Sequence, residues 1–567
     1  MRFLVPILVA ISGLLTPSSL GAQAAGSVSG PAPGLSDVQE RRLANGIRLL
    51  VVERRDLTAF HATLVFRRGR AEEPPALAGA TDLLARALYG ATWPEDLDST
   101  HGPTSLDALL QQEEGLLEAL RLERLRLQKD PATATQAPAL ESSLQALQAT
   151  LRARFSASPL ADAYAARGGR QTASAGPDAL VVQTELPTEA FEFWCRTEAQ
   201  RLAVLQLSRF SEARSALIAD LRLPGRQGIA LLRGAALPGH PYGRDLADNL
   251  PAIEALRRSD LRAWARHACG PDRLMLVVVG SLGMDAVRPV VERHFGLLPA
   301  TKEVEDPILP EIPADLGDRR VQAALGAAPR LLVGWRIPPR AQADHLALCM
   351  AAQLLGGGRS SRLPLKLVAQ KALAEHTEIQ LDVPGGRLRG LLVADLTPAE
   401  GHSLAEVEGA LHTEILRLQQ EPIPLDEWQK ALARLEVDHL VTQDDPASLA
   451  RNLGLAWVEG GDWRLSDLEI QRLRTLGPEA VQTAARTWLR PTHRTTVLLQ
   501  PDADEGKDPL DAEMARVLKA LAATRIEDLA QREHLVAEGL RQLRMLNASE
   551  RLRTLKLLEA QLAPEKR

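Results

Sequence analysis

Metal and nucleophilic chemistry in proteins depends on a few side-chain types, chiefly His, Cys, Asp and Glu, at characteristic spacings. The chain contains twelve histidines, and no two of them form a His-x-x-x-His or His-x-x-Glu-His pair. The densest acid–histidine cluster spans residues 374–378, where the neighbours Glu375 and His376 would face opposite sides of a strand. The three cysteines are too few and too far apart for a disulfide framework or a cysteine-based zinc module. The sequence therefore predicts no metal site in this chain.

Composition excludes several classes of protein. The 567 residues are 45% hydrophobic and 25% charged, which is typical of a globular protein with several compact units. A mean hydropathy of -0.11 leaves no room for several membrane spans. The net charge of -5 provides no excess of basic residues for binding phosphate backbones, so we expect no nucleic-acid partner.

The amino terminus has the pattern of a secretory signal peptide over residues 1–24. Arg2 precedes an apolar run at 3–11, and small residues follow before position 25. The apolar run is interrupted by Pro6 and is too short to cross a bilayer, so no stable transmembrane anchor is expected. We expect residues 25–36, rich in Gly, Ser, Ala and Pro, to form a flexible leader. The sequence thus predicts export, most simply to the periplasm of a Gram-negative bacterium.

The elements after the leader begin in the order strand, strand, helix. The Asn45-Gly46 pair suits a tight turn, and an apolar run at 47–52 follows it as a predicted strand. A second strand is predicted at 62–67, and a helix with one apolar stripe at 79–89. This order is typical of an α+β unit.

Similar segments recur later in the chain. The stretch around Pro271 matches that around Pro491, 220 positions on, whereas Leu84 matches Leu355 at an offset of 271. The two offsets differ by 51 residues, which predicts an insertion of about that length in the first half. Leucines at helical spacing locate this insertion at about 105–157 and indicate a helical hairpin. A packed hairpin and a partner-docking arm both fit this segment. The predicted organisation is a first domain at 37–300, a linker at 301–318, a second domain at 319–503 and a helical extension at 504–567.

A glycine-rich loop lies in the second half and could be mistaken for a phosphate-binding loop. It follows a helix rather than a strand and lacks the Gly-Lys-Ser/Thr ending, so it is interpreted as a helix-terminating loop that needs no ligand. Its residues are Gly356, Gly357, Gly358, Ser360, Ser361 and Arg362.

Taken in order, these motifs resemble the insulinase (pitrilysin) metallopeptidase family, over roughly residues 38–500. The residues that carry the resemblance are the Asn-Gly turn, the segments Arg68–Glu73 and Gly79–Thr92, the Gly239–Gly243 motif, the strand up to Gly280 and the loop Leu355–Leu363. The resemblance implies an α+β fold of two homologous halves, each a mixed or antiparallel sheet packed with helices, that form a clam-like chamber.

The family uses an inverted zincin helix, His-x-x-Glu-His, with a further Glu ligand on a later helix. In this chain Asp82 stands at the first His position, Ala85 at the general base, Arg86 at the second His and Asp220 at the later ligand. Ala85 has no group that accepts a proton, and a guanidinium has no lone pair to offer a metal. We therefore expect Asp82 and Asp220 to pair with Arg86, whose charge would replace the zinc cation.

The resemblance also implies that active assemblies hold the substrate carbonyl with an Arg and a Tyr shortly after the glycine-rich loop. Ala369 and Glu375 stand at these two positions here. The chain is thus expected to supply neither the metal site nor the substrate clamp.

The resemblance favours a non-catalytic pseudopeptidase subunit of an exported metallopeptidase complex. In this hypothesis the chain binds no cofactor, zinc is bound only by a catalytic insulinase-family partner, and the chain helps to shape the chamber that receives peptides. One alternative is a scaffold or assembly protein without a peptidase partner. Another is an active zinc metalloendopeptidase with a non-standard site.

Overall fold

The fold is described from a computed structural model. It covers residues 38–89, 106–129, 136–154, 159–205, 207–223, 227–300, 309–313, 315–325, 328–500 and 509–525, with a few positions between 536 and 558. The predicted signal peptide at 1–24, the leader at 25–36, half of the linker at 301–318 and most of the extension at 504–567 lie outside these residues. Among the described residues, no helix combines the length and apolar character that a membrane span requires.

The first half is built on a six-stranded mixed sheet. Its spatial order is β1-β2-β6-β3-β5-β4, with β2 and β6 parallel and the other pairs antiparallel. Gly46, at a φ of +101°, lies in the turn between β1 and β2, at the Asn-Gly turn that the sequence indicates; β1 itself was not predicted. The strands are β1 Val38–Arg42, β2 Arg48–Glu53, β3 Ala59–Phe66, β4 Arg170–Ala175, β5 Leu180–Pro187 and β6 Leu274–Gly280.

The second half is built on a five-stranded sheet of order β7-β11-β8-β10-β9. This order repeats that of β2-β6-β3-β5-β4 strand for strand, so the first sheet differs from the second only by the additional edge strand β1. The predicted α+β class with two equivalent halves is confirmed. The strands are β7 Arg319–Ala324, β8 Arg330–Ile337, β9 Ala374–Val383, β10 Gly390–Pro398 and β11 Arg494–Gln500.

Helices pack on both sheets. In the first half they are α1 Ala80–Tyr89, α2 Leu106–Lys129, α3 Ala137–Arg154, α4 Pro159–Ala165, α5 Phe191–Val204, α6 Phe210–Leu221, α7 Gln227–Ala236, α8 Leu250–Ala255, α9 Arg258–Ala268 and α10 Met284–Phe295. In the second half they are α11 Ala343–Gly356, α12 Leu404–Gln420, α13 Leu425–Asp444, α14 Pro446–Gly460, α15 Leu465–Leu473 and α16 Pro478–Trp488, with a π-helical segment at Pro364–Gln370. The helix α17, Pro509–Arg525, follows the second half, and its Met514, Val517, Leu518 and Leu521 cluster with Val536, Leu555 and Leu558.

The two halves exchange one helix each. Every residue of β6 is buried, because α1, α5, α9 and α10 cover one face of the first sheet and α14 covers the other. Leu453 and Trp457 of α14 belong to the apolar cluster on that second face. In return, α7 packs on β8, where Leu232 contacts the backbone at Gly334. In the two halves, α7 follows α6 and α14 follows α13. The exchanged helices therefore hold corresponding positions in the internal repeat.

A loop of the second half also enters the first half. Arg387 forms an ion pair with Glu72, and its backbone N–H donates to Asp178 at 3.3 Å. The Tyr242 hydroxyl donates to Asp178 as well and accepts the N–H of residue 388 at 3.1 Å. A side chain at Gly385 would come within 2.7 Å of the ring of Pro177, so only glycine fits there. Burial raises the pKa of Asp178 to about 7.

The start of α1 is fixed by a buried carboxylate. Glu73 accepts the backbone N–H groups of Gly79 at 2.8 Å and Thr81 at 2.5 Å, which satisfies two of the donors that a helix leaves unpaired at its amino end. Burial raises the pKa of Glu73 to about 7, although these hydrogen bonds favour the ionised form. The helix that carries three of the four degenerate metal positions therefore begins at a defined residue.

The helical hairpin α2–α3 is joined to the first half by a buried ion pair. Arg258 of α9 donates to Glu113 of α2 at 2.5 Å, and both side chains are almost inaccessible to solvent. Glu113 also accepts from Ser211 of α6 at 2.6 Å and from Gln148 of α3 at 3.2 Å. One carboxylate thus connects α2, α3, α6 and α9.

We expect Glu113→Ala to lower the free energy of unfolding by about 3–5 kcal/mol, because it leaves the buried guanidinium of Arg258 without its counter-ion. The matched control is Glu118→Ala on the same helix, whose partner Arg257 lies 2.7 Å away at the surface. Surface ion pairs contribute little, so the control should be close to wild type. Urea unfolding of both variants measures the difference, and equal losses would contradict the assignment of Glu113 as the buried anchor.

The two buried carboxyl groups predict a pH dependence of stability. Glu73 and Asp178 have pKa values of about 7 in the folded chain, against ordinary values of about 4. The folded state therefore binds protons more tightly, and the resulting stabilisation is complete below pH of about 4 and is lost as pH rises through about 7. We expect the free energy of unfolding to fall by about 2 kcal/mol per group between about pH 5 and pH 8.

Glu73→Gln and Asp178→Asn remove the titrating groups while keeping their size. Each variant should show a flatter dependence of unfolding free energy on pH than wild type, measured by urea titration at several pH values. A Glu73→Gln variant with the full wild-type slope would exclude Glu73 as a source of the dependence.

Candidate functional site

The degenerate metal positions lie in a cleft of about 590 Å³ in the first half. Its walls are the helix α1, the edge strand β4 and the start of α6. The lining residues are Asp82, Ala85, Arg86, Thr172, Ala173, Ser174, Ala175, Arg209, Glu212, Ala213 and Ala216. Three of the four predicted positions therefore face one cleft, and Asp220 reaches it through its contact with Arg86.

Arg86 and Asp220 form the ion pair that their positions predict. The guanidinium Nη2 lies 2.6 Å from Oδ2 of Asp220, and this contact joins α1 to α6. The two side chains remain 37% and 45% exposed, so water screens their attraction. The pair can set the local charge of the cleft, but it contributes little to stability.

Asp82, which the sequence predicts to pair with Arg86, forms an ion pair with Arg70. Its carboxylate lies 3.4 Å from Nη1 of Arg70, which precedes α1 in the chain. The structure thus connects the first degenerate position to the segment before the helix, in addition to the Arg86–Asp220 pair. Ala85 is 4% exposed and presents only a methyl group to the cleft.

The cleft contains a second ion pair, which the sequence does not predict. Arg209 and Glu212 lie 2.6 Å apart at the start of α6. Their spacing of three residues at a helix start is the only signal that the sequence offers, and it does not indicate which cleft they line. The cleft therefore presents paired charges of both signs above the exposed edge of β4.

The residues at these positions do not fit the zinc ion that the family resemblance implies. A carboxylate, a methyl group and a guanidinium replace the two imidazoles and the general base, and the guanidinium carries the positive charge itself. Across the part of the chain that the structure describes, no group of three or more His, Cys, Asp and Glu side chains is arranged to hold a metal ion.

The two positions of the predicted substrate clamp lie in the second half. Ala369 is exposed in the π-helical segment Pro364–Gln370, and Glu375 is exposed near the start of β9. Neither residue lines the α1–α6 cleft. That Ala369 and Glu375 cannot hold a substrate carbonyl stays a prediction.

The glycine-rich loop follows α11 and borders a separate cavity of about 480 Å³. Gly357, Gly358, Ser360, Ser361 and Arg362 line this cavity, whereas Gly356 packs against Ile379 of β9. Arg362 makes two hydrogen bonds to the carboxylate of Glu427 on α13, at 2.6 and 2.9 Å. The Ser361 hydroxyl donates to the carbonyl of Gly358, so contacts within the chain hold the loop.

Comparison with known proteins connects this architecture to one family. A family model described as the peptidase M16 inactive domain matches residues 255–435, from the end of α8 into α13. An uncharacterized zinc protease of Mycobacterium leprae is 24% identical over 272 residues, which are 47% of this chain and 59% of that protein. The chain thus spans about three fifths of the length of the curated relatives that it matches.

Solved structures share the fold. A protease from Helicobacter pylori aligns with a TM-score of 0.64 at 16% identity, over 82% of this chain and 99% of that one. The periplasmic protease PqqL from Escherichia coli aligns with a TM-score of 0.57 at 14% identity, over 85% of this chain and 48% of that one. The match of residues 255–435 to the M16 inactive domain supports the resemblance to the insulinase (M16) peptidase family, and the solved structures share the fold of the chain.

Proposed function

We propose that this chain is a non-catalytic subunit of an exported metallopeptidase complex. It shapes a peptide-binding chamber and supports an insulinase-family partner that carries the zinc. The observation that carries the proposal is the Arg86–Asp220 ion pair of 2.6 Å at the position of the metal. A permanent cation there repels Zn²⁺ and replaces it as the link between α1 and α6.

The absence of a base at position 85 supports the same conclusion independently. Hydrolysis at a metal site needs a group that accepts a proton from the attacking water. Ala85 cannot do so, and the carboxylates of Asp82 and Asp220 have ion-pair partners in Arg70 and Arg86. The cleft retains the exposed edge strand β4, on which an extended peptide could add a strand. Binding without cleavage is the activity that this arrangement supports.

Export to the periplasm is part of the proposal. It is supported by the order of charged, apolar and small residues at 1–24. The fold is also shared with a periplasmic protease of Escherichia coli, PqqL.

Restoring the family residues tests whether the four positions surround a former metal site. We expect the variant Asp82→His, Ala85→Glu, Arg86→His, Asp220→Glu to bind one zinc ion per chain, because α1 and α6 are already close enough for contact at 2.6 Å. The matched control keeps Ala85 and should bind zinc without cleaving peptides. Zinc content after dialysis and cleavage of a peptide library are the measurements.

Two results would contradict the proposal. The first is a restored variant that folds but binds no zinc, which would show that these positions do not surround a metal site. The second is a wild-type chain that retains stoichiometric zinc after dialysis and loses it in Asp82→Ala, which would make the chain a metallopeptidase with a non-standard site. Co-purification from the native host, followed by peptide cleavage with and without the captured protein, tests the partner.

The strength of the Arg86–Asp220 link can be measured by a double-mutant cycle. We expect Arg86→Ala, Asp220→Ala and the double variant to give a coupling energy of about 1 kcal/mol or less, because both side chains are more than a third exposed. The coupling should shrink further in high salt. A coupling of several kcal/mol would mean that the pair is much less hydrated than its exposure indicates.

A further inference from the structure

A cavity of about 300 Å³ lies between the helical hairpin and the rest of the first half. Its walls come from α2 of the hairpin, from α6 and α8, and from the residues at the start of α9. The helix α6 also borders the cleft of the degenerate metal positions, but no residue lines both spaces. The cavity is therefore separate from that cleft.

Part of the cavity wall is apolar. Phe210 of α6, Leu120 of α2 and Leu256 before α9 line it and are buried, and Leu117 and Pro251 line it as well. Sites for small molecules are typically concave and mostly apolar, with a few polar groups that fix the orientation of the ligand. This wall can therefore receive an apolar group.

Four arginines among the described residues line the cavity, and three of them pair with a carboxylate. Arg258 donates to Glu113 at 2.5 Å. Arg121 and Arg257 both pair with Glu118, at 2.9 and 2.7 Å. The positive charge of these three side chains is therefore balanced by neighbouring residues.

Arg214 of α6 is the fourth arginine, and its hydrogen-bond partners are neutral. Its Nη1 donates to the carbonyl oxygens of Glu254 at 3.2 Å and Leu256 at 2.8 Å, and its guanidinium carbon lies 5.2 Å from the centre of the Phe210 ring. With the described residues it forms no ion pair, and its Nε and Nη2 make no hydrogen bond. Burial lowers the pKa of Arg214, but a guanidinium stays charged in proteins.

The acidic residues of the cavity favour a singly charged ligand. Glu114 accepts the backbone N–H and the hydroxyl of Ser259 at 3.2 and 2.6 Å, and Glu254 pairs with Arg222 at 3.4 Å. Together with Glu118, they bring three carboxylates to the cavity. These carboxylates repel a phosphate dianion more strongly than a single carboxylate.

We propose that the cavity binds a monocarboxylate with a compact apolar body. The two oxygens of the ligand accept hydrogen bonds from Nε and Nη2 of Arg214, which form one edge of a planar fork, and the apolar body packs on Phe210 and Leu117. A free carboxylic acid and the carboxyl terminus of a peptide with an apolar last residue share this chemistry. In either case the ligand contacts both the hairpin and α6.

The test is calorimetric titration of the full chain with two acids, 3-phenylpropanoate and an acetylated tetrapeptide that ends in leucine. The matched neutral probes are 3-phenylpropanamide and the same peptide with an amidated carboxyl terminus. We expect at least one acid to bind at one site per chain, about tenfold or more tightly than its amide, because the hydrogen bonds to Arg214 are charge-assisted. The acid that binds identifies the source of the carboxylate. Binding of neither acid, or equal binding of acid and amide, would overturn the proposal.

Two variants locate the binding site. Arg214→Gln removes the charge and should weaken binding of the acid about tenfold while leaving binding of the amide unchanged. Ala255→Trp leaves every charge in place and fills part of the cavity from its exposed rim, so it should weaken binding of both probes. The control is Arg222→Gln, which removes an exposed arginine that follows the same helix and does not line the cavity.

Circular dichroism and thermal unfolding show whether each variant is folded. The folded control should bind the acid as tightly as wild type. Unchanged affinity for the acid in folded Ala255→Trp, or equal losses in Arg214→Gln and Arg222→Gln, would overturn the proposal, because the acid would then bind elsewhere or through the net charge of the chain.

Discussion

The structure depends on burying both faces of the first sheet. One face is covered by helices of its own half, but the other face, around Val277 and Val279 of β6, is covered by α14 of the second half. An apolar sheet face left in water would cost about 25 cal/mol for each Å² exposed, so neither half is complete alone. The exchanged helix α7 on β8 makes the dependence mutual.

This packing holds α1 without help from the side chains at the predicted metal positions. The core of α1 lies in Leu83, Leu84 and Leu88, which are fully buried, whereas Arg86 and Asp220 are partly exposed. The cleft residues therefore contribute little to the energy that holds α1 against the sheet, and they can change type without loss of the fold. Within the cleft, the guanidinium of Arg86 balances the charge of the Asp220 carboxylate.

The sequence was sufficient for the features that depend on local pattern. Asn45-Gly46 marks the turn before β2. The motif order predicts that Asp82 and Asp220 pair with Arg86; the structure contains the Arg86–Asp220 pair, and it places the Asp82 carboxylate 3.4 Å from Arg70. Contacts set by tertiary packing were not predictable in this way. The leucines and tryptophan of α14 indicate an apolar face but not which sheet it covers, and nothing near Arg70 or Arg209 indicates that they reach the cleft or its rim.

The insertion, finally, is coupled to the cleft through a single carboxylate. Glu113 of α2 accepts a hydrogen bond from Ser211, which is the neighbour of Glu212 in the first turn of α6. The hairpin α2–α3 is therefore in contact with the start of the helix that lines the cleft and carries Asp220. Breaking this contact is costly, because separating Glu113 from Arg258 would leave two charges unpaired in the interior. The position of the hairpin is thus fixed relative to the amino end of α6 by the contacts of Glu113, and not by the partly exposed charges of the cleft.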